Sequence, residues 1–590
     1  MVEPALLSDA ALALLRRRYL RRDKDGTIVE TPDQMFHRVA QNVAAVNEFH
    51  GDRSARKDEE EFYRAMRELE FLPNSPTLMN AGTDIQQLSA CFVVPVEDSI
   101  EGIYDAVKYT ALIHQTGGGV GLSFSRLRPA GDVVCSTGGA ASGPVSFMKV
   151  FDAATEAIRQ GGRRRGANMG VLRVDHPDIE GFVAAKEDLV SLPNFNISVA
   201  ATDEFMDRAA EGEDIELINP RTGKGVRRVN AAMLLEQISA NAWRSGDPGM
   251  IFIDTINQHN PTPRLGAIEA TNPCGEVPLL PYEACNLGSI NLERMMGEDG
   301  RALDWAKFER IIEVGVRFLD NVIDANRYPL PQTEKMVRGN RKIGLGLMGF
   351  ADLLLRLGIR YGSPESLAVA EEITSFLYHK AEKVSAEIAE SRGSFPFIEE
   401  SIFDGPRRNA TLLSMAPTGT ISMIAGCSSG IEPLYAIAYG HNVIGGRVEE
   451  VNAYFLAWGR EERFLTPSLM REVRRRHSIK DLEEIPASVR EIFVTAHDIP
   501  AVEQVNVQAA FQRHVDNAVS KTINLPASAS LEEVRDAFMH AHRQGCKGVT
   551  VYREGSRRGQ VLTIRRGENE YPTCGRHVEA DGGPLECNNC

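Results

Sequence analysis

Apolar and polar positions alternate along this chain in two distinct rhythms. Residues 1 to about 70 read as charged helix, and the first strongly irregular stretch is FLPNSPTLMNAG (71–82), rich in turn formers, where a core domain is expected to begin. Phe147, Val150, Phe151, Ala154 and Ile158 recur at helical spacing and predict a helix over 145–160, stopped by the Gly/Arg run GGRRRGANMG. The clearest helix is predicted over 365–391. Ser363 is its N-cap and Pro364 its first residue, Leu367, Ala370, Leu377, Ala381, Val384 and Ile388 form its apolar stripe, and Gly393 lies just beyond. Between helical stretches, GMIFID (249–254), NLGSINL (286–292), TLLSMA (411–416), KTINLP (521–526) and GVTVY (548–552) read as short buried strands. Such alternation predicts an α/β fold. After Tyr552 the chain turns polar and glycine-rich, and 556–590 reads as a flexible tail that carries three of the nine cysteines.

Composition narrows the setting. With 43% hydrophobic and 25% charged residues over 590 positions, the chain can bury a large core. Its 66 basic against 81 acidic residues give a net charge of -15, which disfavours a nucleic-acid partner but leaves free nucleotides open. Arg16, Arg17, Arg18, Arg21 and Arg22 read as a solvated helix face. No signal peptide and no apolar run of about 18 residues is seen. The expectation is a cytoplasmic protein without a membrane partner, whose cysteines are catalytic, metal-binding or incidental.

The densest chemical signal is TNPCGEVPLLPYEACNLGSINL (271–292), where three prolines and two glycines shape a loop around Asn272, Cys274, Glu276 and Cys285. An amide and a carboxylate two residues either side of a cysteine can set a sulfur beside a hydrogen-bond donor and a general base. An incidental thiol in a surface loop is the plain alternative. APTGTIS (416–422) follows an apolar run and offers hydroxyls and a glycine at a helix start, which suits phosphate, although a ligand-free strand-turn-helix reads the same. HQTGGGVGLSFSRLRPAG (114–131) lacks the spacing of a Walker loop and reads equally as a tight turn.

NPCGE, followed eleven residues after its cysteine by the cysteine of ACNLGSINL, resembles the finger loop and next strand of ribonucleotide reductase catalytic chains. SPTLMNAG, LSACFV, RKIGLGLMGFADLL, APTGTIS and VDNAVSKTINLP resemble further blocks of that family in the same order, from about residue 70 to about 555. The resemblance implies a ten-stranded α/β barrel of two five-stranded parallel halves, spanning 71–555, with a central finger loop carrying a radical cysteine. In that reading Cys274 is the thiyl that takes the ribose 3′ hydrogen, Glu276 the base on the 3′ hydroxyl and Asn272 a ribose-hydroxyl ligand. Cys91 and Cys285 supply two electrons and finish as a disulfide. Substrate contacts fall on Ser75, Ala90, Pro417, Thr418, Gly419, Thr420 and Ser422. A deoxynucleoside triphosphate effector would meet Asp98, Ser99 and Arg128, and its signal would reach the substrate through Gln160 and Arg164.

The radical source follows from the last strand. Class I chains carry adjacent tyrosines there, whereas here Val551 precedes Tyr552. The NPCGE form is likewise similar to class II chains, so the resemblance implies adenosylcobalamin and no separate radical subunit. It further implies a ribonucleotide substrate, leaning toward diphosphates, a thioredoxin-like reductant and a homodimer. Residues 1–70 read as a short helical segment without an ATP-cone. The tail motifs CGRH and CNNC leave two roles open: Cys587 and Cys590 as a thiol shuttle, which is favoured, or zinc held by Cys574, His577, Cys587 and Cys590. Cys135, Cys427 and Cys546 read as structural. The competing functions are a class I chain needing a metal subunit and a nucleotide-binding relative without catalysis.

Overall fold

The computed structural model describes residues 7–51, 54–134, 138–158, 166–298, 300–443, 446–476 and 478–556, with side chains of 439–450 left out. The predicted roles of Gln160 and Arg164, and those of Cys574, His577, Cys587 and Cys590, lie outside these residues, as does Cys135.

Four helices open the chain: α1 (Asp9–Arg18), α2 (Pro32–Ala44), α3 (Val46–Phe49) and α4 (Ala55–Arg67). Thr31 caps α2 in a capping box with Gln34, and Met35, Phe36, Val39, Ala40 and Val43 turn one buried face to the core. Further helices relevant to the site are α5 (Ser75–Asn80), α6 (Ile100–Gln115), α7 (Pro144–Ile158), α8 (Trp305–Ala325), α9 (Pro364–Arg392) and α10 (Gly419–Ala425). The long predicted helix is found as α9, with the Ser363 side chain accepting the Ser366 amide and Pro364 in its first turn.

The main sheet holds β1 (Phe71–Pro73), β2 (Cys91–Pro95), β3 (Gly119–Ser123), β4 (Asn168–Arg173), β5 (Phe195–Ala201), β6 (Gly249–Phe252), β7 (Ala284–Asn291), β8 (Ile343–Met348), β9 (Thr522–Leu525) and β10 (Gly548–Arg553). Strands β2, β3, β4, β5 and β6 run parallel in that order. A second parallel set runs β7, β8, then the stretch through Leu413 and Met415, then β9 and β10. The halves meet antiparallel at β6–β10 and at β2–β7, which closes the ring. This is the expected barrel of two five-stranded halves.

The 411–416 stretch departs from the expected regular strand. It pairs only through isolated bridges, Leu345 to Leu413 and Met415 to Val519. The Asp516 carboxylate accepts both the Leu412 and Leu413 amides at 2.7 Å, taking N–H groups that a regular ladder would use.

Among the described residues three apolar clusters result, one of them a satellite around Phe455, Val473, Val489 and Phe493. The outer one packs strands against helices, while a separate inner cluster, including Val93, Val171, Ile251, Val277, Leu279 and Leu287, fills the lumen around the cysteines Cys91 and Cys285. One glycine explains how the lumen admits a loop: a Cβ on Gly121 would lie 2.0 Å from the Thr271 carbonyl oxygen. Gly121, and Gly119 against the Pro273 ring, therefore make room for the crossing loop.

Candidate active site around Cys274

A short antiparallel hairpin, Ala270–Thr271 with Pro278–Leu279, carries the 272–277 loop into the barrel. The Asn272 side chain organises the loop: its Oδ1 accepts the Val277 amide at 3.0 Å and the Thr271 hydroxyl at 3.2 Å. The Gly275 amide donates to the Asn272 carbonyl at 3.0 Å, and Gly275 has φ +84°, a left-handed turn suited to glycine. From outside the loop, Asn196 Nδ2 donates to the Pro273 carbonyl at 3.0 Å. Ser414 Oγ and the Ala518 amide donate to the Glu276 carbonyl at 2.9 and 3.0 Å. Both halves of the barrel thus grip the loop.

Cys274 sits where two cavities meet. The first, of about 840 Å³, is lined among others by Ser75, Ala90, Cys91, Asn272, Cys274, Glu276 and Pro417–Thr420. Of the predicted substrate contacts, Ser422 alone is not on this wall: it is buried on α10 with its hydroxyl directed at the Gly419 carbonyl, 3.5 Å away. Thr418 adopts φ +53° and its Oγ1 accepts the Gly430 amide at 2.7 Å, so the first-turn amides of α10 have no side-chain cap. Glu276, only 3% exposed, is the sole charged side chain among the lining residues described.

Cys91 and Cys285 face each other in register across β2 and β7, and neither is in a disulfide. Directly opposed residues of antiparallel strands stand about 4.5–5.5 Å apart at Cα, within disulfide reach. Asn272 Nδ2 donates to Cys91 Sγ at 3.2 Å, tying the loop to this pair. Burial pushes the Cys285 thiol far above its ordinary range, against the opposing influence of Lys342. It is therefore held as S–H, close to the Asn286 and Lys342 carbonyls at 3.5 and 3.8 Å.

The second cavity, of about 790 Å³, reaches Cys274 and Gly275 with a different wall: Asn196, Ser198, Asp247, Gly249, Glu432, Lys521 and Thr550 among others. Lys521 Nζ pairs with Glu432 Oε2 at 2.6 Å, and burial pulls its ammonium below the usual lysine range. Asp247 pairs with Lys186 at 2.8 Å. Glycines at 249 and 548 lie on the strand floor, where a Cβ would come within 3.1–3.3 Å of neighbouring strand atoms, and Thr550, not an aromatic residue, lines the same cavity from the final strand. Lys521 lies in the VDNAVSKTINLP block and Gly249 and Thr550 in the predicted strands GMIFID and GVTVY, but none of them reads as a site residue, and the others carry no motif. All come from segments far apart in sequence, and only the barrel brings them together.

Away from the barrel centre, Ser99 caps α6 by accepting the Gly102 amide at 3.0 Å. Arg128 grips Asp98 through Nε at 2.9 and 3.1 Å. The three residues read as effector contacts are thus side by side at the start of α6. Among the described residues no helix is long and apolar enough to cross a membrane, and no cluster of three or more His, Cys, Asp or Glu residues could hold a metal.

Comparison with known proteins matches the same architecture. Residues 5–86 match the ribonucleotide reductase all-alpha domain, and residues 89–405 and 398–552 the ribonucleotide reductase barrel domain. A vitamin B12-dependent ribonucleoside-diphosphate reductase of Mycobacterium tuberculosis (strain CDC 1551 / Oshkosh) is 50% identical over 561 residues, covering 94% of this chain and 81% of the relative. One from Thermoplasma acidophilum is 45% identical, covering 95% and 81%. The class Id ribonucleotide reductase alpha subunit of Actinobacillus ureae superposes with a TM-score of 0.78 at 22% identity, over 94% of this chain and 99% of that one, which shows the shared fold. With the finger-loop barrel, the opposed cysteines and these relatives in agreement, the chain belongs to the ribonucleotide reductase large-chain family, on its vitamin B12-dependent branch.

Proposed function

We propose that this chain reduces ribonucleotides, diphosphates in particular, to 2′-deoxyribonucleotides, with the sugar in the first cavity and adenosylcobalamin reached through the second. The observation that carries this reading is the position of Cys274 on the shared wall of two cavities, one lined by thiols, hydroxyls and a carboxylate and the other by backbone and charged pairs. The second cavity fits the deoxyadenosyl end of the coenzyme: it has space beside Cys274 and polar side chains suited to ribose hydroxyls. Asp247, Glu432, Lys521 and Thr550 would hold it there. When bound, the coenzyme would supply radical chemistry beside the Cys274 thiol by homolysis of its cobalt–carbon bond.

The remaining steps belong to the chain's own groups. The Cys274 sulfur takes hydrogen from C3′ while Glu276 accepts the 3′-hydroxyl proton. The 2′ hydroxyl leaves as water with a thiol proton. Cys91 and Cys285 together give up two electrons and two protons and join as a disulfide, Glu276 returns its proton to the 3′ oxygen, and Cys274 returns its hydrogen to C3′. The net change converts a ribonucleotide and two thiols into a deoxyribonucleotide, water and a disulfide. Asn272 orients both the ribose hydroxyls and Cys91. Ser75, Ala90 and Pro417–Thr420 receive the phosphates, whose charge is met by hydroxyls and uncapped first-turn amides, with Ser422 supporting from within α10.

Asp98, Ser99 and Arg128 would bind a deoxynucleoside triphosphate, with Gln160 and Arg164 passing its signal on. Exposed Ile100, Tyr104 and Leu112 on α6 form an apolar stripe beside that site and support a homodimer through this face. A thioredoxin-like reductant would restore the disulfide through Cys587 and Cys590; zinc at Cys574, His577, Cys587 and Cys590 is the competing role, separable by zinc analysis with and without the last residues. Residues 1–70 would act as helical support and 556–590 as the redox tail. The test is reduction of CDP by pure protein with a dithiol and adenosylcobalamin and no partner protein. Turnover is expected, and a need for a second subunit would favour the class I alternative.

A further inference from the structure

The N-terminal helices touch the barrel at a chemically pointed place. Tyr19 closes α1 as its C-cap, is 1% exposed, and its hydroxyl lies 2.8 Å from Ser75 Oγ. Ser75 is half-buried and lines the first cavity with Asn74 and Pro76. It opens α5, yet the cap of that helix is Asn74, whose Oδ1 accepts the Thr77 amide at 3.1 Å, so the Ser75 hydroxyl is not needed for capping. Helix α1 also packs on α10, whose first turn lines the same cavity. One helix of the all-α segment therefore backs two cavity walls.

A serine hydroxyl rotates among three staggered positions and can donate only one hydrogen bond. A phosphate or ribose oxygen that must accept from Ser75 gains most if that proton is already aimed outward. A phenol donating to Ser75 Oγ from behind does this: it fixes the rotamer, leaves the serine proton for the ligand and polarises it. We propose that Tyr19 is a positioning residue that presents the Ser75 hydroxyl as a donor to the bound ribonucleotide, which makes the N-terminal segment part of substrate recognition. The inference rests on the reading of Ser75 as a substrate contact.

The test is a double-mutant cycle on the full chain with CDP as probe, using Tyr19→Phe, Ser75→Ala and the pair. Tyr19→Phe keeps the ring and loses one oxygen, so a coincident thermal melt is expected. Tyr19→Phe should raise the KM for CDP about five- to tenfold, the worth of one hydrogen bond, with kcat changed less than about twofold. Ser75→Ala should raise KM at least as much, and the pair should be no worse than Ser75→Ala alone. If Ser75→Ala raises KM while Tyr19→Phe does not, or if the two effects add, Tyr19 does not act through Ser75 and the proposal falls alone. If Ser75→Ala leaves KM unchanged, the substrate-contact reading fails and takes the proposal with it. A loss of melting temperature in Tyr19→Phe without a KM change would mark a purely structural contact.

Discussion

The two cavities that meet at Cys274 are similar in volume, about 840 and 790 Å³, and opposite in character. The first holds one charged side chain, Glu276, among neutral thiols, hydroxyls and amides from the finger loop, the start of α10 and strands β2, β3 and β7. The second draws on strands β4, β5, β6, β9 and β10 and on the loops that carry Asp247, Glu432 and Lys521, each drawn into an ion pair. In the proposed reaction the groups that gain or lose protons and hydrogen atoms stand on the first side. On the second, charges already paired can shape a site without entering the chemistry. A single sulfur open to both sides can receive a radical from one and use it on the other, which keeps the reactive source apart from the substrate.

The sharpest way to break this division is Cys274→Ser. Activity should fall by about a thousandfold or more, while CDP and cobalamin still bind, each titrated separately. Loss of either binding instead would mean that the cysteine shapes a site and does not link two. Next in size, Glu276→Gln should lower kcat by about 10²–10⁴-fold, the usual worth of general-base catalysis, with little change in the KM for CDP. A change confined to KM would recast Glu276 as a ligand. Thr550→Trp, which fills space in the second cavity only, should weaken adenosylcobalamin binding, followed by its absorbance, by about tenfold or more. CDP binding by the same variant should stay within about twofold. Equal loss of both would show that the cavities are not independent.

The smallest effect concerns protonation. Burial holds the Cys285 thiol above its ordinary range, and only the thiolate reacts with iodoacetamide. Because the folded pKa lies above the unfolded one, the neutral thiol contributes stability that is fully present below the ordinary thiol range and is lost as pH rises through the folded value. Native-state labelling at Cys285 should therefore stay slow up to about pH 9, where unfolded chain labels readily. Rapid labelling near neutrality would contradict the sheltered thiol.

Much of this was legible in the residues. The stripe and caps of α9 set its ends within a residue, because Ser363, Pro364 and Gly393 act locally. The finger loop announced itself through NPCGE, whose proline and glycine shape the turn on which Cys274 rides. The 411–416 run showed its apolar character but not its broken pairing, which depends on Asp516, a residue a hundred positions away. The glycine run lacks Walker spacing and read as a tight turn, and the reason for Gly121, clearance for the Thr271 carbonyl, exists only in three dimensions. The second cavity left no trace for the same cause: Asp247, Glu432, Lys521 and Thr550 share no spacing and are assembled by barrel closure. The Glu283–Lys342 pair behind Cys285, 2.6 Å apart and fully buried, was equally silent.

The proposed division of labour among three cysteines spends Cys91 and Cys285 in each cycle and restores Cys274. It is tested most directly by peptide mapping of thiols after a single turnover of prereduced protein with CDP and adenosylcobalamin and without dithiol. The account predicts one Cys91–Cys285 disulfide per deoxycytidine diphosphate formed, with Cys274 recovered as a free thiol. Product formed with Cys91 and Cys285 both still reduced, or a disulfide that includes Cys274, would contradict it.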